Sequence, residues 1–253
     1  DASASYNHYG NSREQRTVFR GVENRLSLLS TLSEASASVS LKRPLGKWFD
    51  ITAGGQFRYA FFAPGQVASV TNRSRTSLGS VYVSGGINIP NRFTAKAAIR
   101  GNVFHNAKYQ GARKDPEYSA SAKWNVTRHF ALEASYDRTV QYYHTLEGLP
   151  VGWSIDLIVP SGDMVSPESA EQLNFGTSLV FGGHSLSLGA FGKEMGNLVL
   201  YKEAQTMFSG GLAGWEDNVD IGMGKAYGAE FLYEYHGREL NVRAAYTLSK
   251  TTR

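Results

Sequence analysis

The chain has 253 residues, 42% of them hydrophobic, with a mean hydropathy of -0.32, a net charge of +4 and no cysteine. These values exclude disulfides, thiolate catalysis and cysteine-held zinc, and no stretch approaches the roughly 20 consecutive apolar residues that a spanning helix needs. Lys and Arg are scattered instead of gathered into a stripe, so nucleic acid is not an expected partner.

Tyrosine, phenylalanine and glycine are plentiful and proline is scarce, which leans the chain toward β-structure. The sequence opens at Asp1 without a basic or apolar leader segment, so any export signal is expected to be absent or already removed. Ala2, Ala4 and Tyr6 already alternate with Ser3, Ser5 and Asn7, as though the chain begins within a strand. A polar stretch from Gly10 to Gly21 reads as a loop. In the long run that follows, Leu26, Leu28 and Leu32 share one parity and Ala35, Ala37, Val39 and Leu41 the other, so a one-residue bulge between Ser30 and Glu34 is expected.

After a tight turn at Pro44 to Lys47, Phe49, Ile51, Ala53, Phe57, Tyr59 and Phe61 alternate with Asp50, Thr52, Gln56 and Arg58. A polar loop spans about residues 63 to 76. Val81, Val83, Ile87 and Ile89 then share a face, Pro90-Asn91 turns, and Phe93, Ala95, Ala97, Ile99 and Val103 return. Past a third loop, Tyr118, Ala120, Ala122, Trp124 and Val126 oppose Glu117, Ser119, Ser121 and Lys123. Phe130, Leu132, Ala134 and Tyr136 continue that pattern after Thr127-Arg128. The longest loop runs from about Tyr143 to Pro167. Two further hairpins follow, turning at Gly182-Gly183 and at His236 to Glu239; along the last one Val219 to Tyr235 puts apolar side chains on odd positions.

About eleven strands result, and tight turns alternate strictly with long loops. Strands this long, one-sided apolar alternation and aromatics near both strand ends predict an all-β, antiparallel transmembrane β-barrel with short periplasmic turns and long extracellular loops. The apolar face meets lipid and the polar face lines the lumen. Arg138 and Lys225 break the apolar phase, both on the loop-proximal side. Lumen charges are mixed: Arg58, Lys96, Arg100, Lys123 and Arg243 against Glu117, Glu133, Asp137, Glu230 and Glu234. They predict a hydrated interior without selectivity for one sign.

No catalytic, cofactor or metal motif stands out. Gly222-Met223-Gly224-Lys225-Ala226-Tyr227-Gly228 has the wrong spacing for a dinucleotide loop and lies within a strand, so its glycines read as room for close backbone approach. The six histidines lack metal-ligand spacing, and Glu216, Asp217 and Asp220 read as an acidic loop rim in preference to a calcium site. The apolar loop at 143 to 167 either packs over the barrel mouth or presents a binding surface. Trp153, Ile155, Asp156 and Leu157 are its candidate substrate-facing residues.

Tyr136-Asp137-Arg138 to His144, Ile155 to Pro160, Ser166-Pro167-Glu168 and Glu171-Gln172 resemble the barrel of TonB-dependent outer-membrane receptors, especially the branch common in Bacteroidota. Glu194 to Tyr201, Trp215-Glu216, Gly222 to Glu230 and Ala245 to Lys250 do so too, the likeness being strongest from about residue 129 onward. The resemblance implies a bacterial outer-membrane barrel of about 22 strands closed by a plug. It implies import of a scarce nutrient on energy from an inner-membrane TonB complex. On that reading residues 1–253 are a partial barrel domain lacking the plug and the barrel ends. Its partners are lipid, the rest of its own barrel and plug, and, through the plug, TonB. The alternatives are a complete barrel of ten to twelve strands acting as a pore, adhesin or structural protein, and an outer-membrane hydrolase in which Ser, His and an acid converge.

Overall fold

In a computed structural model, residues 1–19, 21–63, 73–109, 111–146, 157–202 and 215–253 are described. The first half of the wall is β1 (Ala2–Phe19), β2 (Val22–Pro44), β3 (Phe49–Ala63), β4 (Ser74–Ile89), β5 (Phe93–Asn106), β6 (Arg113–Asn125) and β7 (Phe130–Gln141). A short hairpin follows, β8 (Tyr143–Leu146) and β9 (Leu157–Pro160). The wall resumes with β10 (Glu168–Phe181), β11 (His184–Tyr201), β12 (Val219–His236) and β13 (Asn241–Thr252), and a single 3-10 turn covers Trp215–Asn218.

Eleven strands form one antiparallel sheet in chain order, β7 pairing directly with β10, while β8 and β9 pair only with each other. Each neighbour follows through a tight turn or a long connection, as the sequence predicts. The small hairpin shows that the sheet is curved. β8 touches β11 while β9 touches β2 and β3, strands that a flat sheet would hold more than about 30 Å apart.

The faces follow the alternation. In β3, Phe49, Ile51, Ala53, Phe57 and Tyr59 are exposed, and the intervening Asp50, Thr52, Gln56 and Arg58 are partly covered. Registers align these apolar rows between strands: Ala134, Phe175, Ala190, Ala229 and Leu248 are successive partners from β7 to β13. Exposed apolar rows on a strand sheet are the signature of a surface whose solvent is lipid. Trp48, Phe49, Trp124 and Phe181 stand exposed at the short-turn end, where an interfacial aromatic girdle belongs. Phe175 is level with Ala134 and Ala190, which places it in the apolar band and not in the outer girdle.

Three expectations are corrected. Residues 10–21 are not a loop, because β1 continues to Phe19 and turns at Gly21, whose φ is 79°. No bulge lies near Ser30 to Glu34: β1 and β3 both pair with β2 in unbroken register. The parity change there is a change in which face is apolar, with Leu32 half-buried on the face opposite to Val39. The register shift in the sheet falls in β11, between Met195 and Leu198, where Asn197 has a φ of 57° and its side-chain amide donates to the Pro167 carbonyl at 2.9 Å. Third, the long 143 to 167 connection contains β8 and β9.

The β12 glycines behave as predicted at two of three positions. A Cβ at Gly228 would meet the Leu248 carbonyl at 2.7 Å and one at Gly224 would meet Leu198 at 2.8 Å, while Gly222 has open space. β1 pairs with β2 and β13 with β12, and these two strands end the sheet without pairing to each other. The closed ring of a complete ten- to twelve-strand barrel is therefore not formed.

Candidate functional site: the rim and the lumen face

The inward face of β3 to β5 is polar or small near the short turns and becomes buried toward the long loops. Ala60 and Phe62, Thr76 and Ser80, and Asn102, Phe104 and Asn106 are all buried there. Their cover is the chain running into β8 and out of β9. Tyr142 stacks on Phe104 with centroids 4.7 Å apart, and Tyr143 meets Phe62 edge-on at 5.0 Å. Apolar residues in this connection make it fold inward, since Leu146, Val159 and Val165 gain a core with Val199, Trp215 and Val219. Packing over the mouth is thus the observed behaviour of its described part. Trp153, Ile155 and Asp156 lie outside the described residues, and only the backbone of Leu157, opening β9, lies within them.

A buried polar clamp holds this hairpin. His144 and Ser161 are both 0% exposed. The His144 ring nitrogens lie 2.8 Å from Ser161 Oγ, through Nε2, and 3.1 Å from Glu168 Oε1, through Nδ1. An Nδ1–H tautomer satisfies both contacts, donating to Glu168 and accepting from the serine hydroxyl. Asn106 donates to the Ser161 carbonyl at 2.8 Å and accepts from Ser74 at 2.5 Å. Ser, His and acid therefore converge, but with both the hydroxyl and the imidazole sealed from solvent.

A second cluster ties the loop after β5 to the 3-10 turn. Glu216, buried, accepts from Lys108 Nζ at 2.8 Å and from the Tyr109 hydroxyl. Burial, and then the bond and charge of Glu216, push the Tyr109 phenol up from its ordinary value. Arg113 reaches the Gly162 carbonyl at 2.9 Å. Glu216 is thus occupied by cation and phenol, and among the described residues no group of three or more His, Asp or Glu is placed to hold a metal ion.

Below the hairpin the lumen face carries the mixed charges that the sequence predicts. Arg58 Nε lies 3.5 Å from Glu34 Oε1, Arg243 Nε 3.5 Å from Glu234 Oε1, and Lys123 Nζ 3.8 Å from Glu133 Oε2. Ser80 donates to Asn102, which donates to Glu117 at 2.9 Å, and Glu117 accepts the Val140 amide at 2.9 Å. A cleft of about 960 Å³ is lined by charged and polar residues that include Lys96, Lys123, Glu133, Asn174, Glu230 and Arg243 together with apolar ones such as Phe191 and Leu232. Three buried polar atoms under the hairpin, Arg58 Nε, Thr76 Oγ1 and Tyr143 OH, have no hydrogen-bond partner among the described residues. The Tyr143 phenol is raised by burial, against the opposing pull of Thr76 and Arg58 beside it.

Neither cluster has a local sequence motif. His144, Ser161 and Glu168 are spread over a connection whose apolar content was the one available signal, and Lys108 and Glu216 are joined across 108 positions.

A curved antiparallel sheet with a lipid-type outer face, a mixed-charge inner face, short turns at one end and inward-folded loops at the other defines an outer-membrane β-barrel. The family model described as "TonB dependent receptor-like, beta-barrel" matches residues 1–253, and the chain belongs to that family of bacterial outer-membrane proteins. Solved structures share the fold. The FrpB iron transporter from Neisseria meningitidis (F3-3 variant) is 13% identical with a TM-score of 0.64, the alignment covering 98% of this chain and 41% of that one. The siderophore receptor PirA from Pseudomonas aeruginosa is 14% identical with a TM-score of 0.66, covering 100% and 51%. The copper transporter OprC is 12% identical with a TM-score of 0.68, covering 98% and 42%. The chain thus spans about half or less of the length of these proteins. No curated protein sequence matches it.

Proposed function

We propose that this chain forms part of the barrel wall and outer rim of an importer that carries a scarce nutrient across the outer membrane. Energy for release comes from an inner-membrane TonB complex acting through a plug domain. The observation that carries the reading is the match of residues 1–253 to the TonB-dependent receptor barrel family, to which the β8–β9 hairpin folded over a polar, mixed-charge lumen face adds a narrowed mouth. Siderophore, cobalamin, glycan and peptide are the cargo classes to compare, and the Bacteroidota branch is supported by the ordered motifs from Tyr136–His144 through Glu194–Tyr201 to Ala245–Lys250. The test is uptake by cells lacking the gene, with each cargo class limiting in turn. Loss of uptake of one class, reproduced by removing TonB, is the expected result; uptake that persists without TonB overturns the reading.

The same reading makes the chain non-catalytic. Its support is the burial of Ser161 and His144, which leaves no approach for a substrate carbonyl. A fluorophosphonate probe should leave Ser161 of the full-length protein unlabelled, and stoichiometric labelling there would establish a hydrolase instead.

A further inference from the structure

β6 and β7 separate before either strand ends. Their pairing runs from Asn125 with Ala131 to Tyr118 with Arg138. Beyond that point β6 stays in the wall beside β5 as far as Arg113, the partner of Phe104, and β7 stays beside β10 as far as Gln141, the partner of Glu168. Among the described residues no ladder joins 113–117 to 139–141, so the wall has a seam toward its long-loop end.

The cause lies in one residue. Carried two positions further, the register of β6 and β7 would set Pro116 opposite Val140. Both backbones present polar groups to the seam, and side chains from the opposite strand take them. The Val140 amide donates to Glu117 Oε1 at 2.9 Å, and the Arg138 guanidinium donates to the Pro116 carbonyl. Those are the two groups that a ladder bond would join. The return bond, from residue 116 to the Val140 carbonyl, has no donor, because proline lacks an N–H. The second Glu117 oxygen accepts from Asn102 of β5 at 2.9 Å, which fixes the carboxylate against the wall.

The seam frees the start of the β8–β9 hairpin. Tyr142, one residue past β7, turns over the inner face, its ring stacked on Phe104 and its hydroxyl donating to Asp115 Oδ2 at 3.2 Å. This inward position is not the best hydrogen-bonded one open to the chain, since Arg58 Nε, Thr76 Oγ1 and Tyr143 OH stay unpaired beneath it among the described residues. We infer that Pro116 and Glu117 form a hinge that keeps the hairpin over the mouth. Pro116 bars the continuation of β7 from the wall, and Glu117 holds the pivot amide of Val140 in place of a strand partner. An N–H at position 116 makes the wall position available, and the hairpin then leaves the mouth.

The test is hydrogen exchange and hydroxyl-radical footprinting of the full-length protein in nanodiscs. In the unmodified protein the Val140 amide should be protected, and Tyr142 and His144, 5% and 0% exposed, should resist oxidation. Glu117→Ala should speed exchange at Val140 about tenfold, whereas Glu117→Gln, which keeps an acceptor oxygen, should change it by less than about threefold. Pro116→Ala should raise oxidation of Tyr142 and His144 several-fold while exchange across 118–125 stays as it was. Fast exchange at Val140 in the unmodified protein overturns the inference without any variant. So does a Pro116→Ala protein in which Tyr142 and His144 remain protected, or in which they oxidise only together with loss of protection across 118–125.

Discussion

Lys108 Nζ lies 2.8 Å from Glu216 Oε1, joining the loop after β5 to the turn that opens β12. Glu216 is buried and Lys108 half-exposed, so the two substitutions are unequal. Lys108→Ala removes one donor and leaves Tyr109 in place, whereas Glu216→Ala strips the acceptor from both. The second should loosen the rim by about 1 to 3 kcal/mol and the first by less. Hydrogen exchange at 105–109 and 215–218 in the full-length protein reads the difference, and equal effects would deny the buried carboxylate its central place.

Alkaline pH acts on the same cluster. The Tyr109 phenol is raised in the folded chain, so the fold holds this proton where the unfolded chain gives it up. Its contribution is complete below the unfolded value of about 10 and declines as pH rises above it. Proteolytic cleavage of the rim loops should accelerate above about pH 10 in the unmodified protein, and Tyr109→Phe should flatten that rise.

The β8–β9 hairpin offers two substitutions of opposite sign. His144→Ala leaves the buried Ser161 hydroxyl without its partner, the partly exposed Glu168 turning to solvent, and should release the hairpin at a cost of about 1 to 3 kcal/mol. Tyr143→Phe keeps the ring against Phe62 and deletes a buried hydroxyl that has no partner among the described residues. It should be neutral or stabilising by about 1 kcal/mol. Exchange protection over Tyr143–Leu146 decides both.

The two faces of the wall are distinguished by a pair of arginines. Ala190→Arg projects into the apolar band beside Phe175 and Ala229, at a cost of about 2 to 4 kcal/mol. Ser135→Arg enters the hydrated lumen and should cost well under half of that. Denaturant unfolding in lipid vesicles measures each; equal costs would mean that the faces are wrongly assigned.

The wall was readable in sequence because lipid imposes a contrast between neighbouring residues. Leu173 and Phe175 against Gln172 and Asn174 show it without any knowledge of partners. Gly10 to Phe19 carries no such contrast in its sequence, which is why it reads as loop although it is paired strand. The rim clusters were unreadable for a different reason. His144, Ser161 and Glu168 meet only because an apolar connection folds inward, and Arg138 with Glu171 or Lys225 with Glu194 require the register, which no single strand carries.

Among the described residues β2 pairs with β3 from Thr31 onward, while Val22 to Ser30 pair with β1. The β1–β2 hairpin runs on for about 30 Å along its strands beyond that point, with Arg16 and Glu23 bridged at 2.6 Å along it. The hairpin lies at the long-loop end of the wall, so substitutions at its exposed positions alter the outer surface without entering the lipid-facing band.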